Sequence, residues 1–307
     1  MKTEQMITRF IEYCKVFRNL SPETQRAYAS DLHQFEAFCN QLNHSVFSSE
    51  AVKEWLKVLD SSLKPRSILR KCSSLKTFYR FARISGWINT DPFFNIPLKI
   101  KPTKSLPKDI SLCDIERILQ YAYQKCSANL SPAKHKQAIR NTAIIELLFG
   151  TGIRVSELCS LSPSDVDLES GRILIHGKGN KERIVFISNQ DAIRLIEEYA
   201  KSDQNAILET GYMFNSQQEK RISPETIRSI LNIYAAESGV SSHITPHRFR
   251  HTFATALVNS DMNLRHIQTL LGHSSIQVTE IYTHVASAHH REMLCEKHPR
   301  NHMNISI

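Results

Sequence analysis

Forty residues, Thr245 to His284, hold four groups whose types and spacing could do chemistry together: TPHRFRHTFATALVNSDMNLRHIQTLLGHSSIQVTEIYTH. His247 and Arg250 form an H-x-x-R pair, Gly272-His273 follows, and Tyr282 comes nine residues after His273. Two imidazoles, a guanidinium and a phenol are a phosphate-handling set. A phosphodiester is negative and resists attack, so its cleavage needs positive donors on the non-bridging oxygens, a nucleophile, and an acid for the leaving oxygen. Arginine is suited to the first task, being planar, forked and always charged. Arg250 is one candidate. The other is Arg154, which follows the Thr151-Gly152 turn and opens a helix in GTGIRVSELCSL, where a helix N-terminus also favours anions. Lys178 lies between Gly177 and Gly179; it is either a solubilising lysine or one that reaches a bound substrate as general acid. Tyr282, read from its own helix, serves equally well as a core residue beside Ile276, Val278 and Ile281. His247 and His251 at i, i+4 raise a metal site, but no carboxylate stands at H-E-x-x-H spacing and the cysteines are scattered, so neither metal nor cofactor is expected.

Positioning these groups requires a mostly helical frame. Residues 1 to about 98 read as all helix. Apolar residues recur at helical spacing from Thr3 to Phe17, Ser21-Pro22-Glu23 is an N-cap with proline at N1, and a third helix spans Ser49 to Leu59. In the fourth, Lys64 to Ser85, the residues Arg66, Arg70, Lys76, Arg80 and Arg83 share an arc of roughly 140° at 100° per residue. Ile68, Cys72, Leu75, Phe78, Tyr79 and Ala82 occupy much of the opposite face, and no acid occurs from Ser61 to Thr90. The stripe is either a solvated face or a contact to a phosphate backbone, which the lack of acids favours. Residues 99 to 108, with Lys99, Lys101 and Lys104 among prolines, make a basic linker. Beyond it come a helix capped by Ser111, an apolar helix Arg140 to Phe149, and a hairpin (Arg172 to His176, Glu182 to Ile187). Tyr212 to Phe214 is expected to add a third short strand. Helices opened by Pro224 and Pro246, one capped by Asn263, and a last one from Ser275 to Val285 complete the chain.

Composition sets the outer bounds. The length of 307 residues suits two domains, and 39 Lys and Arg against 30 acids give a net charge of +9, which points to a polyanionic partner. No apolar run approaches a membrane span, and MKTEQMITRF has no apolar core of a signal peptide. Seven scattered cysteines without a C-x-x-C pair fit reduced thiols in the cytoplasm.

The blocks GTGIRVSEL, GKGNKER, TPHRFRHTFATAL and LLGHSSIQVTEIYTHV, in this order and spacing, resemble the catalytic domain of tyrosine recombinases, and among them most the Xer recombinases and related integrases. SPETQRAYASDLHQFEAFC is similar to that family's helical core-binding domain, so the likeness covers nearly the whole chain. It implies a mainly α fold: an all-helical, SAM-like core-binding domain at 1–98, the linker at 99–108, and at 109–307 a mixed α+β catalytic domain with a small three-stranded antiparallel sheet. It implies that Tyr282 attacks the scissile phosphate to form a 3′-phosphotyrosyl link. Arg154 and Arg250 would hold the non-bridging oxygens, Lys178 protonate the leaving 5′-oxygen, His247 assist proton transfer, His273 hydrogen-bond the phosphate, and Glu157 support the set. The partner implied is a double-stranded DNA recombination site, bound by a homotetramer on paired sites with an exchange segment from about 285. A second recombinase is a further candidate partner. Two departures, Phe249 for the family's leucine in H-x-L-R and Phe149-Gly150 before Thr-Gly, are packing changes. The same fold also serves a DNA-binding accessory homologue without strand exchange, and the same chemistry a topoisomerase-like relaxing enzyme. The six filled catalytic positions speak against the first, the core-binding domain and exchange segment against the second. The task stays open between chromosome dimer resolution, plasmid resolution and movement of an integrating element.

Overall fold

The structure, a computed structural model, describes residues 2–94, 96–98, 100, 109–177, 181–216, 218–260 and 262–272, the side chain of Lys181 excepted. The expectations for Lys99, Lys101, Lys104, Lys178, His273, Tyr282, the last helix and the exchange segment lie outside these residues. The chain divides into two compact units, Met1–Ser105 and Leu106–Ile307.

Four helices build the first unit: α1 (Thr3–Val16), α2 (Pro22–Gln41), α3 (Ser49–Ser62) and α4 (Pro65–Ile84). Their starts follow local chemistry. Ser21 accepts from Thr24 N at 3.4 Å ahead of Pro22, and Ser48 accepts from Glu50 N at 3.2 Å. Phe10, Leu32, Phe35, Trp55, Ile68, Leu75 and Phe78 form the core. The hydroxyl of the buried Tyr79 donates to Val46 O at 2.8 Å, which ties α4 to the loop before α3. Buried in the same unit, Asp31 (1 % exposed) accepts from Arg70, from Lys71 Nζ at 3.1 Å and from Ser74 Oγ at 2.7 Å. One carboxylate of α2 thus neutralises two cations of α4.

The second unit runs α5 (Leu112–Cys126), α6 (Pro132–Thr151), α7 (Val155–Cys159), a 3-10 turn (Pro163–Asp165), β1 (Val166–Asp167), β2 (Arg172–Gly177), β3 (Lys181–Phe186), α8 (Gln190–Ser202), α9 (Gln204–Thr210), α10 (Pro224–Glu237), α11 (Pro246–Asn259) and α12 (Leu264–Leu271). Helix α6 is buried nearly all round from Ala138 to Leu148 and packs against α5, α8 and α11. A helix with apolar residues on every side belongs in the middle of a core. The sheet is antiparallel in the order β1-β2-β3, with Ile173 opposite Val185 and Ile175 opposite Arg183.

Two expectations need correction, and one stretch carried none. The third strand is Val166–Asp167, not Tyr212–Phe214; Met213 N donates to Leu161 O at 2.8 Å and Phe214 stacks flat on Tyr199, which fixes that segment without a ladder. Helix α6 extends beyond Arg140–Phe149 at both ends. It begins behind Ser131-Pro132 and passes Gly150 to stop at Gly152, where φ is +61°. Helices α8 and α9 occupy a stretch for which no helix was expected. Among the described residues Cys14, Cys39, Cys72, Cys113, Cys126 and Cys159 are free thiols.

Candidate functional site

Two of the charged groups singled out in the second unit, Arg154 and Arg250, meet at the C-terminal end of α12. The last carbonyls of a helix have no partner within it and carry the negative end of its dipole, so cations gather there. Three consecutive carbonyls at this end accept from three arginines on three different elements. Arg183 Nε, from β3, donates to Leu270 O at 2.8 Å; Arg250 Nη2, from α11, to Leu271 O at 2.5 Å; and Arg154 Nη2, from the turn before α7, to Gly272 O at 3.2 Å.

Arg154 is the N-cap residue of α7, which has only five residues and hence a shorter dipole than the sequence suggested. What fixes it is Glu157. This carboxylate accepts from the Arg154 backbone N at 2.7 Å and from Arg154 Nη1 at 2.8 Å. From its other side Arg183 approaches as a fork, Nη1 to Oε1 at 2.9 Å and Nη2 to Oε2 at 2.7 Å. Burial alone would raise the Glu157 pKa, but the hydrogen bonds and charge of Arg183 and the hydrogen bonds of Arg154 outweigh it and hold the carboxyl at about 2. The Arg154 side chain is 42 % exposed while those of Glu157 and Arg183 are 6 % and 9 %. The buried pair therefore backs an arginine that faces solvent.

Arg250 is buried and bridges two segments, with Nη1 on Gly152 O at 2.7 Å and Nη2 on Leu271 O. Gly152 lies two residues before Arg154, so the two arginines are tied to the same turn. A Cβ at Gly152 would stand 2.4 Å from the Phe253 ring, and the positive φ suits glycine alone. Gly272, also at positive φ, has Arg183 packed against it, where a Cβ would be 3.1 Å from Cδ. His247 is exposed in the first turn of α11, one turn ahead of Arg250; the helix is capped by Thr245, whose hydroxyl accepts from Arg248 N at 3.2 Å. His251, by contrast, is 3 % exposed, with Nε2 3.4 Å from Asp109 Oδ1, and burial ahead of that carboxylate's opposing pull lowers its pKa. Asp109 O accepts from Arg248 Nη2 at 2.9 Å, and Ile110 N donates to Thr252 Oγ1 at 2.9 Å. The first described residues after the linker are strapped along the helix that carries His247 and Arg250.

The structure thus brings Arg154, Glu157 and Arg250 together and places His247 on the helix of Arg250. Sequence reasoning missed Arg183. It closes the GKGNKER block from which only the lysine was drawn, and the signal that could have found it is a cation alternating inward with Val185 on a half-buried strand. The two departures from the family pattern pack on each other, Phe149 against Phe249 edge to face with centroids 6.3 Å apart.

In the first unit Arg66, Arg70, Lys76, Arg80 and Arg83 are all exposed along α4. They are not equivalent. Arg70 is committed to Asp31, and Lys76 Nζ lies 5.1 Å from the Phe93 ring centre. Lys76 and Arg80 line, with Arg18, Ser73, Thr77 and Leu98, a cleft of about 320 Å³. No helix among the described residues is long and apolar enough to cross a membrane.

Comparison with known proteins agrees with this frame. Residues 111–289 match the model of the phage integrase family, and residues 7–86 that of the phage integrase N-terminal SAM-like domain. A tyrosine recombinase of Agathobacter rectalis is 40% identical over 294 residues, covering 96% of each chain. Tyrosine recombinase XerC of Oceanobacillus iheyensis is 33% identical over 312 residues, covering 99% of each. Among solved structures, XerA recombinase matches with a TM-score of 0.52 and 26% identity, covering 97% of this chain and 99% of that one. XerH recombinase in a post-cleavage complex with a difH substrate matches with a TM-score of 0.74 and 23% identity, covering 95% and 85%, a likeness of fold.

Proposed function

Because the chain belongs to the phage integrase family, as a tyrosine-type site-specific recombinase that breaks and rejoins DNA, we propose that Tyr282 is its nucleophile and that Arg154 and Arg250 clamp the scissile phosphate. In this reading the Tyr282 oxygen attacks phosphorus, the bond to the 5′-oxygen breaks, and the leaving 5′-hydroxyl takes its proton from Lys178. His247 assists removal of the phenolic proton and His273 donates to a non-bridging oxygen. The 3′-phosphotyrosyl link conserves the energy of the phosphodiester. Attack by a new 5′-hydroxyl then reseals the strand, with neither ATP nor metal in the balance.

The observation that carries this reading is the convergence of Arg154 and Arg250 on adjacent carbonyls of one helix end, one residue ahead of His273 in sequence. Arg154 gives one N–H to Glu157 and one to Gly272 O, and a guanidinium with five has donors left for a phosphate oxygen. Duplex DNA is the substrate and the +9 charge suits it. The assembly proposed is a homotetramer on paired sites, working in the cytoplasm, with the first unit as core-binding domain (1–98), the linker at 99–108 crossing the backbone, and the second unit (109–307) as catalytic domain. Arg66, Lys76, Arg80 and Arg83 on α4 contact phosphates, Lys99, Lys101 and Lys104 extend that contact, and Arg70 joins it only from its tether on Asp31.

The test is covalent trapping on a nicked duplex bearing the site, recovered by selecting bound fragments from the source genome. The native chain should form a DNA adduct stable to denaturation, and Tyr282→Phe should form none. An adduct from the phenylalanine variant, or none from the native chain, refutes the assignment.

A further inference from the structure

Arg183, Arg250 and Arg154 form a ladder on the end of α12, on the successive carbonyls of Leu270, Leu271 and Gly272. We infer that Arg183 is a positioning residue of the cleavage reaction: its fork holds Glu157, its Nε holds Leu270 O, and it thereby sets Arg154 and the end of α12 in one frame. This rests on the reading of Arg154 and Tyr282 given above.

An arginine side chain has four free torsions, and a half-exposed one keeps a single geometry only when something rigid holds it. For Arg154 that support is Glu157, which holds both its backbone N–H and its Nη1. Glu157 in turn is locked from behind, both oxygens taken by the two terminal nitrogens of Arg183. The third donor of the same guanidinium reaches 87 residues along the chain to Leu270 O. The neighbouring carbonyls, of Leu271 and Gly272, are the ones that Arg250 and Arg154 hold. One planar group therefore fixes both the acid that aims one clamp arginine and the point from which the sequence continues to His273 and Tyr282. A lysine cannot copy this, because a point charge can satisfy the carboxylate or the carbonyl but not the fork and the third bond together. A side chain present only to neutralise Glu157 would be replaceable by lysine.

The test uses the full chain and the nicked duplex described above. Measured are the single-turnover rate of adduct formation at saturating DNA, the Kd for the same duplex, and Tm. Arg183→Lys should slow adduct formation about 100-fold, the scale of a misplacement near 1 Å, with Kd unchanged within about twofold. Arg183→Gln should be at least as slow, and adding Glu157→Gln to it should cost no more than the worse single change, because both act through one network. The inference fails if Arg183→Lys cleaves within about threefold of the native rate, or if rate and DNA affinity fall together in proportion to a lost Tm. Should the glutamine variant not fold, the lysine variant decides alone. Tyr282→Phe is run beside them. An adduct from that variant would sink the parent reading, whereas an inert Tyr282→Phe with a fully active Arg183→Lys sinks only the role of Arg183.

Discussion

At the scale of residues, the chemistry depends on charges held by partners rather than on charge alone. Arg154→Ala or Arg250→Ala should remove donors aimed at the phosphate, a loss of roughly 3 kcal/mol, or about 100-fold or more in cleavage rate. DNA binding should survive, because other phosphate contacts carry most of the affinity. Rates of adduct formation and a binding isotherm on the same duplex check both halves. Glu157 makes a pH prediction. Its carboxyl is held at about 2 in the folded chain against an ordinary 4.5, so its contribution to stability is complete above about 4.5 and is lost as pH falls toward 2. Glu157→Gln should therefore be less stable than the native chain near neutral pH, and the gap should narrow on acidification. Urea midpoints at several pH values read this directly, and a gap independent of pH would contradict it. Legibility at this scale was uneven. Arg154 and Arg250 stand in motifs dense enough to be found by type and spacing, whereas Glu157 was reached only through the family resemblance. Arg183 does not announce itself, because its work is defined by partners 26 and 87 residues away. Lys71 was hidden among the basic residues of α4, yet at 100° per residue it falls inside the apolar arc, and the structure buries it.

At the scale of elements, most helices of the first unit were readable from their caps, since serine and proline at a helix start act on the nearest backbone. Helix α8 was not read at all, although Asn189 accepts from Ala192 N at 3.0 Å and Ala192, Ile193, Leu195, Ile196 and Tyr199 make a buried stripe. The short third strand was misplaced because two residues carry no periodicity; Val166–Asp167 is a strand only through its pairing with Ile173 and Arg172. Two predictions belong here. Asp31→Ala should leave Lys71 buried without its carboxylate and cost the first unit about 3–5 kcal/mol, measurable as a lower urea midpoint. Gly152→Ala should be strained both by its φ of +61° and by the Phe253 ring, a loss of about 1–3 kcal/mol, and should disturb the carbonyl that Arg250 uses.

At the scale of the whole molecule, composition already pointed to a polyanion, and the chain divides into two compact units. Binding should weaken steeply with salt, and neutralising Arg80 or Arg83 should each reduce the slope of log K against log salt by about one. Arg70→Gln should instead lower stability through Asp31 and change the slope less, which a salt titration beside thermal melts distinguishes. The arginine ladder also bears on when, during synthesis, this part of the fold can assemble. Its donors sit at positions 154, 183 and 250, and its acceptors at 270 to 272, so the pieces leave the ribosome over more than a hundred residues of synthesis. Until Gly272 has emerged, Arg154 and Arg250 lack the helix end that gathers them. A chain cut short between α11 and α12 holds all three arginines but none of the carbonyls they share.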